Sequence, residues 1–149
     1  MPHTYTNLLT HIIFSTKDRA PVIGTELRPR LHAYMGGVVR ELGATPLIIN
    51  GVADHIHLLV GLPPVLSISE MLRVLKTNSS RWVHVEMSQR AFGWQSGYGA
   101  FSVSQSNMTA VSQYIAQQEE HHRKISFQAE YVAFLQKHGI DYDERYLWN

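Results

Sequence analysis

The sequence contains no cysteine. Disulfides and thiolate metal sites are therefore excluded, and the absence points toward a reducing compartment. It has no apolar run long enough to span a bilayer. Its first residues lack the basic-then-apolar pattern of a secretory signal. A cytoplasmic protein with no membrane partner is the expectation. Neither sign of charge is in surplus: 13 Lys and Arg stand against 12 Asp and Glu, a formal net charge of +1. That balance neither demands nor excludes a polyanionic partner. Repeats, low-complexity stretches and linkers are also missing, so the 149 residues read as a single domain over 1–149. With 44% hydrophobic and 17% charged residues, the chain can bury a core and is not disordered.

What the sequence does hold in quantity is histidine, nine in all. Two of them sit in "DHIHLLV", residues 54–60, inside a run that otherwise reads as a buried strand. Side chains alternate along a strand, so His55 and His57 share one face while Ile56 points to the other. Two imidazoles about 7 Å apart along a strand can converge on one ion. A satisfied or edge-exposed pair is the plain structural reading. In an otherwise apolar strand the ligand reading is the stronger, yet the pair alone names no reaction. Neither His-x-His-x-Asp-His nor His-Glu-x-x-His is present. Asp54 reads either as an acceptor that orients a ligand histidine or as a strand-entry turn residue.

The surrounding elements follow from periodicity. Residues 5–15 read as a strand. Leu27, Leu31, Tyr34, Val38 and Leu42 recur at helical spacing, with Gly43 where a helix stop belongs. "TPLIING" and "DHIHLLVGL" read as two strands joined by a short turn around Gly51. "SISE", 67–70, is a capping box opening a helix through Leu72, Leu75 and Val83. The loop "FGWQSGYG" leads into "AFSVSQS", a strand by its alternation. A third helix is expected from Ser106 or Asn107 to about His122. A fourth is capped by Ser126, carries Phe127, Tyr131, Phe134 and Leu135, and stops at Gly139. The order is β-α-β-β-α-β followed by two helices. This is an α+β, ferredoxin-like arrangement: a four-stranded antiparallel sheet with two helices on one face, an added tyrosine-bearing helix and a C-terminal helix.

On the third expected helix, Tyr114 and Gln118 are spaced i, i+4 and so lie on one face. A core aromatic and a solvated amide are the plain readings. For His121 and His122 the plain reading is exposed side chains in a last helical turn, where cations suit the dipole.

His-hydrophobe-His on a strand followed by a helix carrying Tyr-x-x-x-Gln resembles the HUH-type single-tyrosine transposases of small bacterial insertion sequences, including the repeat-associated tyrosine transposases. The resemblance covers nearly the whole chain. It takes in "HIIFSTKDR", "LKTNSSRW", "WQSGYGAFSVS", "YIAQQEEHHRK" and the closing "DERYLW". It implies that His55 and His57 ligate a metal, with Gln118 as third protein ligand through its amide oxygen. Tyr114 would be the nucleophile that cuts single-stranded DNA and stays attached to its 5′-phosphate. It further implies a homodimer, in which a tyrosine helix can serve the partner's histidines in a composite site, and hairpin-bearing single-stranded DNA as substrate.

The chemistry supports that mapping. A tyrosine hydroxyl is a weak nucleophile at neutral pH, and a phosphodiester repels an attacking oxygen. A divalent ion, Mg2+ or Mn2+, held by mixed N/O donors beside the phosphate answers part of this. A phosphotyrosine link keeps the bond energy, so the strand can be rejoined without ATP. Candidate DNA contacts are Lys76, Arg81, Arg123 and Lys124 for phosphates, and Trp94 and Tyr98 for stacking on bases. Two alternatives remain open on the residues alone. One is a non-catalytic single-stranded nucleic-acid-binding module on the same fold. The other is a metal-dependent phosphodiester hydrolase with Tyr114 a bystander.

Overall fold

The alternation along the first and third strands sets the layers of the molecule. In the computed structural model, which describes residues 3–148, the strands are β1 (Leu9–Ser15), β2 (Thr45–Gly51), β3 (His55–Gly61) and β4 (Gly99–Val103). They form one antiparallel sheet in the order β2-β3-β1-β4. Ile12 and Phe14 of β1 and Ile56, Leu58 and Val60 of β3 face one side. There they meet Leu31 and Met35 of α1 (Leu27–Glu41) and Leu72 and Leu75 of α2 (Ile68–Glu86), all fully or almost fully buried. The expected ferredoxin-like sheet with two helices on one face is what forms.

Local signals explain the ends of these elements. Gly43 adopts φ +86° just after α1, the left-handed geometry that glycine takes without steric cost. At the β2–β3 hairpin a side chain on Gly51 would collide with the His55 carbonyl oxygen, so the turn admits only glycine. Ser67 caps α2 by accepting from the Glu70 amide at 3.1 Å. The Glu70 carboxylate pairs with Arg73 at 2.7 Å, so only half of the capping box is made. The first strand is shorter than expected, because residues 5–8 are exposed and lie outside the sheet.

The opposite sheet face is covered by α3 (Met108–Ala116), α4 (Gln118–His121) and α5 (Phe127–Lys137). A second core forms there from Ile13, Phe101, Phe127, Tyr131 and Leu135. The single helix expected to run to about His122 is broken at Gln117, with φ −101° and ψ 22°. Asn50 of β2 donates from Nδ2 to the carbonyls of Ile115 at 2.9 Å and Ala116 at 3.3 Å. It thereby satisfies carbonyls that the end of α3 leaves without intrahelical partners. Among the described residues no helix is long and apolar enough to cross a membrane.

Candidate active site

β3 delivers both histidines to the face covered by α3–α5, and both are fully buried. Each is oriented through its Nδ1. Asp54 Oδ1 lies 2.7 Å from Nδ1 of His55, and Nε2 of His11 on β1 lies 2.8 Å from Nδ1 of His57. Both Nε2 atoms are left to point into the same space. Ligand histidines are held in this way, with the second ring nitrogen bonded so that orientation and tautomer are fixed.

The facing wall is built from three helices. Gln118 of α4 is fully buried and places its Oε1 3.2 Å from His55 Nε2. Tyr114 of α3 lies with its ring centroid 6.0 Å from that of His57. Its hydroxyl contacts His121 Nε2 at 3.1 Å and donates to Oε2 of Glu130 on α5. Glu130 is 2% exposed and sits at the centre of the cluster. Its Oε1 is 3.0 Å from His57 Nε2, 3.0 Å from His122 Nε2 and 3.3 Å from His55 Nε2. Beside this cluster runs a cleft of about 440 Å³. His11, Asn107, Tyr114, Glu130, Phe134 and Lys137 line it.

Burial and neighbouring charge set the proton affinities. Burial pulls His11 down to about 3 and His57 down to about 4, the latter against the pull of Glu130. For His55, burial lowers the pKa, but hydrogen bonds to Asp54 and Glu130 outweigh it and the net direction is upward. Burial alone would raise Glu130. The hydrogen bonds from His122, His55 and His57 prevail and hold its carboxyl well below the usual range. Tyr114 is pushed up, first by burial and then by the adjacent Glu130 carboxylate.

The donor set suits a divalent cation. One ligand atom from each of His55, His57, His122 and Glu130 lies within 4.8 Å of the others. Imidazole nitrogen with carboxylate and amide oxygen is a set that Mn2+ accepts, and Mg2+ tolerates in part. The cluster could hold a metal ion.

Of the residues singled out from sequence, the fold brings His55, His57, Tyr114 and Gln118 together. Asp54 stands as the orienting acceptor of His55. Four participants were missed: His11, His121, His122 and Glu130. His122 is no surface side chain, being 9% exposed and bonded to Glu130. A signal for Glu130 does exist. It follows Phe127 by three positions and precedes Phe134 by four, so it falls inside the apolar stripe of α5.

The candidate DNA contacts divide. Arg81 and Lys124 are exposed. Arg123 is exposed and pairs with Glu120 at 2.8 Å, and Tyr98 is 37% exposed. The Lys76 ammonium instead bonds the carbonyls of Gln95 at 2.9 Å and Gly97 at 2.7 Å, and it lies over the Phe14 and Tyr98 rings. Trp94 donates to Ser79 Oγ at 2.9 Å and packs edge-on against Phe14 and Phe92.

Comparison with known proteins places these features. A protein-family model described as "Transposase IS200 like" matches residues 4–118. The transposase for insertion sequence element IS200 of Salmonella typhimurium is 28% identical over 126 residues, 80% of this chain and 82% of that protein. The ISDra2 transposase TnpA of Deinococcus radiodurans is 24% identical over 116 residues, 74% of this chain and 83% of that protein. Among solved structures, a REP-associated tyrosine transposase bound to a REP hairpin superimposes with a TM-score of 0.62 at 14% identity. That likeness covers 84% of this chain and 74% of the other, and it concerns the fold.

Proposed function

The chain belongs to the IS200-like transposase family, and from that premise we propose that it cuts and rejoins single-stranded DNA with Tyr114 as the nucleophile. One observation carries this reading. The Tyr114 hydroxyl stands in the same buried cluster as the converging Nε2 atoms of His55 and His57, held there by Glu130 and His121.

His55, His57 and the amide oxygen of Gln118 would hold a divalent ion, Mg2+ or Mn2+. When bound, such an ion polarises phosphoryl oxygens and eases charge on the departing 3′-oxygen. The chain's own residues do the rest. Asp54 and His11 keep the two imidazoles aimed. α3 carries the Tyr114 oxygen to the position from which it attacks phosphorus, leaving the strand joined through its 5′-phosphate. The hydroxyl proton has two acceptors already in contact, His121 Nε2 and Glu130 Oε2. Either one can take the proton as the oxygen attacks. Attack by the freed 3′-oxygen on the phosphotyrosine reverses the step and rejoins the strand.

The substrate in this reading is single-stranded DNA with a short hairpin, by likeness to the hairpin-bound transposase. Arg123, Lys124, Arg81 and Tyr98 are the exposed side chains offered to it. Lys76 and Trp94 shape the 94–98 loop that carries Tyr98. The assembly is a homodimer, with β4, one of the two edge strands, paired across the two-fold axis. The test is incubation of the chain with labelled single-stranded hairpins and with blunt duplex, in Mn2+ at matched salt. A denaturation-resistant protein–DNA adduct should form with the hairpins and not with the duplex. Free 5′-phosphate ends with no adduct at any time would assign the attack to water.

A further inference from the structure

The match to the family model ends at Gln118, and Glu130 lies beyond it on α5. An ionised carboxylate at 2% exposure is costly unless its surroundings answer it. Here six side chains do, and its two oxygens face different groups. Oε1 looks toward the Nε2 atoms of His55, His57 and His122, at 3.3, 3.0 and 3.0 Å. Oε2 looks toward the Tyr114 hydroxyl, and toward Nε2 of Gln118 and Nε2 of His121, both at 3.3 Å.

The histidine side of this arrangement calls for a cation. A neutral His55 that donates from Nδ1 to Asp54 presents a lone pair at Nε2. With a proton on Nε2 the contact to Glu130 is a hydrogen bond, and once that proton is lost the lone pair and the anionic oxygen repel. A divalent cation shared by the two turns that repulsion into ligation. A carboxylate oxygen is also the hard donor that Mg2+ and Mn2+ prefer and that two imidazoles alone do not supply.

We propose that Glu130 is a working part of this centre: Oε1 is a carboxylate ligand of the divalent ion, and Oε2 holds the Tyr114 hydroxyl in place. One side chain of α5 then couples ion to nucleophile, and the centre is complete only while α5 is docked on the sheet. The proposal rests on the metal-and-tyrosine reading above.

The test uses calorimetric titration of the full chain with MnCl2, beside adduct formation on a single-stranded hairpin. Glu130→Gln keeps the shape and removes the charge. It should bind Mn2+ at least about tenfold more weakly than wild type. Tyr114→Phe touches only the Oε2 side and should leave Mn2+ affinity within about twofold of wild type, since a ligand set left intact keeps its affinity. At saturating Mn2+ the ion side of Glu130→Gln is refilled, yet its adduct formation should stay at least about tenfold slow, the cost of a lost hydrogen bond to a charged group. Wild-type affinity in Glu130→Gln overturns the ligand role, and tighter binding would make the carboxylate a competitor of the ion. Full recovery of adduct formation at saturating Mn2+ overturns the hydroxyl-holding role. Should Glu130→Gln fail to fold, Glu130→Asp serves, because it keeps the charge and withdraws the oxygens by one methylene. Unchanged affinity and rate in that variant overturn both roles. Absence of Mn2+ binding by wild type would instead sink the metal reading itself.

Discussion

Nε2 of His11 lies 2.8 Å from Nδ1 of His57, reached from the neighbouring strand. His11 also packs edge-on to Phe134 at 5.1 Å, so its ring is fixed from two sides. His11→Phe keeps an aromatic ring there and removes the nitrogen that orients His57. Mn2+ affinity should drop about 10- to 100-fold, the usual effect of losing an orienting partner. The fold should survive, as judged by circular dichroism. An affinity equal to wild type in calorimetric titration would show that His57 needs no support from β1.

Asp54 does the same for His55, and its chemistry can be graded. Asp54→Asn still offers an oxygen to Nδ1, so it should lose only part of the Mn2+ affinity. Asp54→Ala offers none and should lose about tenfold or more. Equal affinities for the two variants would remove Asp54 from the account.

The histidine pair was legible because strand alternation is a local rule: "DHIHLLV" places both rings on one face whatever the rest of the chain does. Helices α1 and α2, with Gly43 after the first and Ser67 before the second, were legible for the same reason. Glu130 was not. Its place in the apolar stripe of α5 marks it as inward-facing, but only the docking of that helix shows that it meets His57, His122 and Tyr114. The break at Gln117 was hidden too. It depends on Asn50, far away in sequence, whose amide meets the carbonyls at the end of α3. His11 needed the β1–β3 register, which sets Ile13 opposite His57 and so puts His11 diagonal to it on the same face.

The basic residues should separate by the salt dependence of DNA binding. Lys124 is exposed, so Lys124→Ala should reduce the slope of log affinity against log salt by about 0.7 for a single strand. The Lys76 ammonium is held by loop carbonyls, so Lys76→Met should leave that slope near its wild-type value. Fluorescence anisotropy over a salt series measures both. A Lys76→Met slope reduced as much as that of Lys124→Ala would put Lys76 on the phosphates.

His32 on α1 supplies a pH signature away from the active site. Burial, and then the charge of Arg28, lower its pKa to about 4, and its Nε2 has no hydrogen-bond partner among the described residues. The unfolded chain therefore binds the proton more readily, and stability is full above about pH 6.5 and falls as the pH drops toward 4. At pH 5 the loss from this residue is up to about 2 kcal/mol. His32→Leu should lose less stability than wild type between pH 7.5 and pH 5 in urea denaturation. Equal losses would mean that His32 protonates freely in the folded chain.

Tyr114 carries the central claim, and Tyr114→Phe isolates it. Phenylalanine keeps the ring and most of its packing, leaves His55, His57, Gln118 and Glu130 in place, and removes only the attacking oxygen. Wild type and variant are incubated with a labelled single-stranded hairpin and Mn2+, then resolved on a denaturing gel. Wild type should yield a covalent 5′-phosphotyrosyl adduct, while the variant binds the same DNA and yields neither adduct nor cleaved strand. An adduct formed by Tyr114→Phe would contradict the account, because another residue would then be the nucleophile.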